Sequence, residues 1–384
     1  MTIVISAVNL RKGGTLAILR DCLSALSEMA VQGEVRVIAL VHRKDLAEYP
    51  GIEYIELSWS TRSWLHRLWC EYVTMYGISK RIGDIDLWLS LHDTTPRVKA
   101  RHQAVYCHNS YPFFRWHWRH IWQNYRIVCF ALFTRWLYRI NLHRNDFVIV
   151  QSQWFREAFA KMFNMDKSRI VAFPPDINVN LNPNLNVNPY ENENVNENDT
   201  LNSQLSTLNS HYTFLYPAYP DVHKNFECVC EAARLLEQEV GEGRFKVILT
   251  TDGTFNRYSR WLHRRWGTVR SIRFCGFVSK EQLDELYATT NCLIFPSMVE
   301  TWGLPISEFS VTGRPMLLAD LPYAHETASG SLQTAFFNPN DPQELKGLMR
   351  EVLDGRTAKL KAITTTPLSP PCARDWKQII ARVF

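Results

Sequence analysis

The sequence predicts an α/β protein with two doubly wound parallel sheets in tandem. Short apolar, β-branched segments alternate with longer amphipathic segments along most of the 384 residues, and this alternation is typical of parallel strands joined by crossover helices. The alternation restarts after residue 211, and the stretch between the two halves has a different composition. At about 150 residues per domain, the length of the chain also predicts two to three domains.

The first half of the chain predicts one domain, spanning residues 1–175. An apolar segment at the N-terminus is expected to be the first strand. Further buried strands are predicted at 35–41, 52–57, 87–91, 104–106 and 147–150. Segments with the periodicity of amphipathic helices lie between the strands, at 15–30, 59–81, 115–143 and 153–163.

The second half predicts another domain of the same class, spanning residues 211–371. Strands are predicted at 213–216, 246–250, 271–274, 292–295 and 315–318. Helices are predicted at 225–240, 280–289, 303–311 and 342–353. Between the domains lies the segment 178–210, in which 12 of 33 residues are Asn. Because Asn and Pro disfavour strand interiors, we expect a flexible insertion there rather than an ordered hairpin.

Composition narrows the class of protein further. With 46% hydrophobic and 21% charged residues, the chain is globular rather than disordered or fibrous. The net charge of +5 is too small to indicate nucleic-acid binding by itself. The nine cysteines include no C-x-x-C pair, so we expect reduced thiols, no metal site and a cytoplasmic protein. The N-terminus lacks the features of a signal peptide, and no apolar segment approaches the roughly 20 residues of a membrane span.

The stretch 97–144 has an unusual composition. It contains nine Lys or Arg residues, 12 aromatic residues and no Asp or Glu. Arginine interleaved with aromatic residues favours a helix at a membrane interface, where indole rings lie at headgroup depth and cations meet anionic lipid. Two alternatives stay open: packing between helix and sheet with a solvated basic face, and a stacking surface for nucleic acid. We expect a membrane surface as a partner and no nucleic acid.

The sharpest chemical signal is the segment 295–308, which reads FPSMVETWGLPISE. A predicted strand leads into a loop that contains Glu300, and Gly303 opens a helix that contains Glu308. Backbone N–H groups at the start of that helix, from Gly303 to Leu304, can bind an anion or a sugar hydroxyl. Two carboxylates eight positions apart in this setting are poor metal chelators but good acceptors for hydroxyl donors.

Glu300 and Glu308 resemble the E-x7-E element of retaining glycosyltransferases of family 4. The segment 313–320, GRPMLLAD, also resembles the family's donor-binding domain. The resemblance is strong over residues 211–355 and weaker over 1–175. It implies the GT-B fold, in which two Rossmann-like domains face a central cleft and a C-terminal helix, here 372–384, returns to the first domain.

The resemblance also implies roles for residues of the second domain. Glu300 is expected to bind hydroxyls of the transferred sugar, and Glu308 the ribose of the nucleotide. Lys224 resembles the family's lysine that neutralises the donor diphosphate, where negative charge grows in the transition state. The family usually has an Arg several residues before this lysine, and this chain has none. His223, or Arg11 with Lys12, is a candidate replacement.

In the first domain, candidate residues follow the predicted strands. Gly13 and Gly14 lie between the first strand and the first helix, where they resemble the loop that faces the donor phosphates. His108 ends a predicted strand, and its placement resembles the family's active-site histidine. His92, Asp93 and Asn109 lie at the same carboxyl edge, where open α/β sheets bind ligands. These three are acceptor-side candidates, although turn formation also accounts for Asp93.

The predicted activity is transfer of a hexose from a nucleotide-diphosphate sugar to a glycan or lipid-linked acceptor at the cytosolic membrane face. Retention of configuration and independence from divalent metal are implied by the resemblance, and no cofactor is expected. We expect a cytoplasmic protein, peripheral on the inner face of the membrane. The alternative is a nucleotide-sugar-binding or scaffold subunit of a glycan assembly complex with weak activity.

Overall fold

The computed structural model describes residues 1–116, 118–175 and 211–382. The predicted flexible insertion, 178–210, lies outside the described residues. Contacts divide the chain into two compact units. The first comprises Met1–Phe113, Cys129–Pro175 and Leu368–Phe384, and the second comprises Phe114–Val128 and the described residues of Asp176–Pro367.

The first unit contains a parallel sheet of seven strands, in the order β3-β2-β1-β4-β5-β6-β7. The strands are β1 Thr2–Ala7, β2 Arg36–Val41, β3 Ile52–Glu56, β4 Leu87–Ser90, β5 His102–Cys107, β6 Phe147–Val150 and β7 Ile170–Ala172. Ile5 of β1 pairs with Ala39 on one side and Leu89 on the other. Ile3 and Ile5 pack into one apolar core and Val4 into a second, because successive side chains of a strand point to opposite faces.

Helices cover this sheet. They are α1 Gly13–Val31, α2 Trp64–Trp69, α3 Met75–Ile82 and α5 Gln153–Phe163. Helix α4, Trp118–Leu137, is divided between the units: residues 118–128 belong to the second and residues 129–137 to the first. The prediction of one helix over 59–81 was wrong. The chain forms a 3-10 turn at Ser58–Thr61, then α2, then a π-helical turn at Cys70–Thr74, then α3. Helix α2 starts separately from the 3-10 turn because Ser63 is its N-cap. The side chain of Ser63 accepts a hydrogen bond from the backbone N–H of His66.

The second unit contains a parallel sheet of six strands, in the order β10-β9-β8-β11-β12-β13. The strands are β8 Tyr212–Tyr216, β9 Phe245–Leu249, β10 Ile272–Phe274, β11 Cys292–Phe295, β12 Met316–Ala319 and β13 Thr334–Phe337. The helices are α6 Phe226–Val240, α7 Arg257–Trp266, α8 Lys280–Thr289, α9 Leu304–Ser310, α10 Pro322–Thr327 and α11 Pro342–Leu353.

Four elements were not predicted from the sequence: β7, α7, α10 and β13. The strands β7 and β13 have three and four residues, too few to show a periodicity. Helix α7 is rich in Arg and gives a weak apolar signal, but a capping box between Asn256 and Ser259 fixes its start.

The C-terminal helix, α12 Trp376–Ala381, packs within the first unit. Trp376 is 3% exposed, and its ring centroid lies 4.9 Å from that of Phe173. The indole N–H of Trp376 donates a hydrogen bond of 2.7 Å to the carboxylate of Asp21 in α1. The tandem parallel sheets and the returning helix are therefore confirmed.

Candidate functional site

The second unit brings Lys224 and Glu300 together. Lys224 ends a 3-10 turn, Val222–Lys224, that follows β8, and Glu300 lies in the loop after β11. Lys224 Nζ donates to Glu300 Oε1 at 2.5 Å, and the two side chains are only 18% and 12% exposed. Because β8 and β11 are neighbours in the sheet, their carboxyl ends place the two loops side by side. Each charge is held in place by the other.

Hydrogen bonds fix the backbone around this pair. The hydroxyl of Tyr216 donates to the carbonyl oxygen of Lys224 at 2.6 Å. Asn225, in the left-handed region at φ 55°, donates from its side chain to the carbonyl oxygens of Pro296 and Pro339 at 3.2 and 2.8 Å. The backbone N–H of Met298 donates to the carbonyl oxygen of His223 at 2.8 Å. The Lys224 turn and the Glu300 loop are thus joined into one rigid element.

His223 is not placed to act as the second cation. Its side chain lies inside the unit, with the residue 5% exposed. Burial, reinforced by the charge of Lys224, lowers the pKa of His223 well below its usual value, so the ring is neutral. As the replacement for the family's missing Arg, His223 stays a prediction, and its burial disfavours this role. The other candidates, Arg11 and Lys12, belong to the first unit.

Glu308 lies on α9 and has partners on both carboxylate oxygens. The hydroxyl of Tyr287 donates to Oε2 at 2.8 Å, and Lys280 Nζ donates to Oε1 at 3.0 Å. The side chain of Glu308 is 15% exposed. Burial and the nearby Glu308 carboxylate raise the pKa of Tyr287, so its phenol remains a donor. This carboxylate is oriented and able to accept further hydrogen bonds from hydroxyl groups.

Gly303 forms the turn between the two glutamates. It is the N-cap of α9 and adopts φ 99°, a conformation that favours glycine. A Cβ at this position would lie 3.3 Å from Ile306 Cδ1 and 3.7 Å from the rings of Phe295 and Tyr323. Leu304, the first residue of α9, is 37% exposed. Binding of a ligand by the backbone N–H groups here stays a prediction.

The first unit brings Asp93, His108 and Asn109 together at the carboxyl ends of β4 and β5. Oδ1 of Asp93 accepts hydrogen bonds from the backbone N–H groups of His108 and Asn109, at 2.7 and 3.0 Å. Oδ2 lies 3.4 Å from Nε2 of His108. Asp93 adopts φ 69°, a strained conformation that these bonds hold in place. Within the described part of the chain, Nδ1 of His108 is buried without a hydrogen-bond partner.

His92 is enclosed by protein, whereas Gly13 and Gly14 adjoin open space. His92 is 2% exposed, and burial, followed by the charge of Arg67, lowers its pKa well below the usual value. A neutral, enclosed ring of this kind supports the wall of a site rather than reaching into solvent. Gly13 begins α1 at φ 60°, and a Cβ at Gly13 or Gly14 would have no heavy atom within 4 Å. Both glycines therefore leave the backbone open to close approach.

A cavity of about 370 Å³ lies beside these residues within the first unit. Its lining comprises Asn9, Arg11, Ser60, Thr61, Ser63, Trp64, Arg67, Glu71, His92, Asp93, Thr94, Asn109, Phe130, Thr134, Leu137 and Tyr138. The sequence reasoning missed Arg67 and Glu71, which form an ion pair in the cavity wall. An available signal was their spacing of four residues within an otherwise aromatic segment, WLHRLWCEYV at 64–73.

No group of three or more His, Cys, Asp or Glu side chains among the described residues could hold a metal ion. In the same part of the chain, no helix is long and apolar enough to cross a membrane.

Comparison with known proteins finds a family model that matches part of this chain and proteins that resemble it. Residues 212–355 match the family model "Glycosyl transferases group 1". O-antigen chain mannosyltransferase RfbU of Salmonella typhimurium is 22% identical over 289 residues, 73% of this chain and 70% of that protein. Serotype-specific mannosyltransferase WbdA of Escherichia coli is 29% identical over 133 residues, which are 34% of this chain and 16% of WbdA.

Solved structures resemble most of the chain. HepE of Anabaena, solved in complex with UDP-glucose, is 16% identical with a TM-score of 0.62, covering 94% of this chain and 92% of its own. WaaG, a glycosyltransferase involved in lipopolysaccharide biosynthesis, is 13% identical with a TM-score of 0.61, covering 92% and 90%. At these identities the likeness shows the fold, and it confirms the predicted GT-B architecture.

Proposed function

We propose that this chain, a GT-B protein whose residues 212–355 form a glycosyl transferases group 1 domain, is a retaining glycosyltransferase. It would move a hexose from a nucleotide-diphosphate sugar to a glycan or lipid-linked acceptor at the cytosolic membrane face. The observation that carries the proposal is the enclosed Lys224–Glu300 pair at 2.5 Å, held at the first position of the E-x7-E element.

The donor chemistry follows from the residues of the second unit. Lys224 has three N–H donors and uses one on Glu300, so two remain for the oxygens of a departing diphosphate. Glu300, oriented by Lys224, would accept hydrogen bonds from the transferred sugar, and Glu308 from the ribose. Stabilising the charge of the leaving group is a large term in such a transfer.

The acceptor would bind the first unit at the carboxyl edge of β4 and β5. The Asp93–His108–Asn109 cluster offers both acceptor and donor atoms to a nucleophilic hydroxyl. In our proposal, that hydroxyl attacks C1 on the face from which the diphosphate leaves, and a leaving oxygen takes its proton. Retention is carried over from the family resemblance. The names of RfbU and WbdA favour mannose as the first sugar to test and an O-antigen chain as the acceptor class.

The aromatic helix α4 supports membrane association. Its inner face packs against the protein through Val128, Ala131 and Leu137, each at most 5% exposed. Outward-facing Tyr125 and Trp136 are 54% and 58% exposed. The stretch 97–144 contains nine Lys or Arg residues and no acidic residue, a composition that suits anionic lipid. Packing therefore accounts for one face of the helix, and a lipid surface is proposed for the other.

A nucleotide-sugar-binding scaffold subunit is the second candidate. It is favoured by two observations: residues 216–223, just before Lys224, contain no Arg, and the neighbouring His223 is neutral and buried. A protein with one cation at the diphosphate would bind a nucleotide sugar more readily than it would activate it.

Turnover assays with a panel of GDP-, UDP- and dTDP-hexoses test the proposal, with Glu300→Gln as the variant and Glu242→Gln as the control. Glu242 belongs to the second unit and is 54% exposed in a surface pair with Arg270. We expect turnover of at least one donor, lost in Glu300→Gln and kept in the control. Nucleotide-sugar binding without turnover, unchanged by Glu300→Gln, would support the scaffold subunit.

A further inference from the structure

The wall of the first-unit cavity contains a buried ion pair that the proposed reaction does not use. Arg67 Nε donates to Oε1 of Glu71, and Glu71 is 1% exposed while the side chain of Arg67 is 13% exposed. Both residues come from the segment in which α2 gives way to the π-helical turn. π-Helical turns are frequent at functional sites.

A series of hydrogen bonds between buried side chains holds the Glu71 carboxylate. The hydroxyl of Thr94 donates to Oε2 of Glu71 at 2.6 Å, so its oxygen is free to accept from Nδ1 of His92 at 3.0 Å. Nε2 of neutral His92 then accepts from the hydroxyl of Ser6 at 3.1 Å. The oxygen of Ser6 accepts in turn from the indole N–H of Trp88 at 3.1 Å. Both oxygens of the Glu71 carboxylate therefore accept hydrogen bonds, one from Arg67 and one from Thr94, and these bonds fix its orientation.

The cavity lining has both a donor and an acceptor available. Among the described residues, no atom accepts a hydrogen bond from Nη1 of Arg67, and the side chain of Arg67 is 13% exposed. The carboxylate of Asp93, which lines the same cavity, is 12% exposed and can accept. A ligand with hydroxyl groups satisfies both, because a hydroxyl donates and accepts.

Several other lining residues are aromatic. The ring of Trp64 lies 5.5 Å from that of Phe130, and Tyr138 lines the same cavity. Burial, followed by the charge of Asp93, raises the pKa of Tyr138, so its phenol stays neutral. Apolar walls with a few fixed polar groups are typical of small-molecule sites, and 370 Å³ lies within their usual range.

The charge of the lining distinguishes between ligand classes. Two cations, Arg11 and Arg67, are matched by two carboxylates, Glu71 and Asp93, and His92 is neutral. A phosphate would meet both carboxylates without an excess of positive charge. An uncharged polyol with apolar C–H faces meets matched hydrogen-bonding groups and an aromatic surface.

We propose that this cavity binds a neutral pyranoside, the terminal sugar of the acceptor, with Arg67 as the group that contacts it and Glu71 as a positioning residue that aims Arg67. The identification of this sugar as the acceptor rests on the proposed function. Saccharide binding itself does not, because it follows from the cavity.

Saturation-transfer NMR of the full chain with methyl α-mannoside, α-galactoside, α-glucoside and α-rhamnoside tests the proposal. We expect at least one glycoside to give a signal, and at least a fivefold weaker signal in Arg67→Gln and Glu71→Gln. The matched control is Glu53→Gln, which removes an exposed ion pair with Arg36 in the same unit. The proposal is overturned if no glycoside gives a signal, or if Arg67→Gln binds like the unaltered protein.

A second variant separates binding from folding. Arg67→Lys keeps a cation for Glu71 but loses the second arm of the guanidinium fork. We expect it to melt within about 2 °C of the unaltered protein, yet to bind the glycoside at least threefold more weakly. If Arg67→Lys and Arg67→Gln lose only melting temperature and bind the glycoside normally, the pair is structural and the proposal fails.

A separate assay of nucleotide-sugar hydrolysis distinguishes failure of the saccharide-site proposal from failure of the transferase proposal. If the unaltered protein binds a glycoside but turns over no donor, the transferase proposal fails and the saccharide site stands.

Discussion

The Lys224–Glu300 pair makes the sharpest quantitative prediction, through a double-mutant cycle of Lys224→Met, Glu300→Gln and both together. Removing one partner of a fully buried pair costs about 3–5 kcal/mol, because the other charge is left uncompensated. These side chains are 18% and 12% exposed, so part of that cost is relieved by solvent. We expect each single variant to lose about 2 kcal/mol of unfolding free energy.

The double variant separates pairing from packing. It removes both charges, so we expect it to lose at least about 1 kcal/mol less than the two single losses added together. For a domain of this size, 2 kcal/mol corresponds to a decrease in melting temperature of roughly 4–8 °C. Thermal melting followed by circular dichroism measures it. Glu242→Gln, at the exposed pair with Arg270, should change stability by no more than about 0.5 kcal/mol.

The same cycle gives an activity prediction. Loss of a preorganised group that stabilises transition-state charge typically costs about 10²–10³-fold in kcat. Donor turnover should fall by about that factor in both single variants, and the double variant should be no more active than the weaker one. Strictly additive losses of stability, or a Lys224→Met enzyme with normal kcat, would refute the reasoning that the pair acts as one unit.

Three further predictions concern the backbone, pH and the membrane. Gly303→Ala should destabilise the protein by about 1–3 kcal/mol because of its φ of 99° and close neighbours, whereas Gly347→Ala, on an open helix surface, should be neutral or stabilising in the same melting assay. The pKa values of His92 and His223 are lowered in the folded protein, so below about pH 6.5 the unfolded chain binds protons that the folded protein does not. The folded protein is therefore most stable above that pH and loses stability as the pH falls. A His92→Gln/His223→Gln variant whose melting temperature changed with pH as steeply as that of the unaltered protein, between pH 7.5 and 5.5, would contradict this. Trp136→Ser should weaken partitioning onto anionic phosphatidylglycerol vesicles roughly fivefold, the loss of about 1 kcal/mol of apolar burial, and equal sedimentation of both proteins would argue against the lipid face.

Much of the fold was predictable because the relevant signals are local. Strand β6, strand β11 and helix α8 occur at their predicted bounds, since a buried strand or an amphipathic helix is encoded in the order of neighbouring residues. Where the local signal was weak, the prediction failed. The π-helical turn at Cys70–Thr74 interrupts an otherwise continuous helical periodicity, and nothing in that periodicity marks the extra residue.

The candidate site, too, was predictable only where its residues follow one another in the sequence. Glu300, Gly303 and Glu308 were identifiable because the strand, loop and helix that carry them follow one another in the chain. The contact of Glu300 with Lys224, 76 residues away, depends on β8 lying beside β11, which spacing along the chain does not encode.

The amino-acid sequence by itself determined two parallel sheets, the acidic loop and the aromatic, acid-free stretch, because periodicity and composition act over a few residues. Only the tertiary structure decided that His223 is a neutral core residue and that Glu71 lies beneath a cavity. Burial and pairing depend on which strands become neighbours, and that choice is made by packing the whole unit rather than by any one segment.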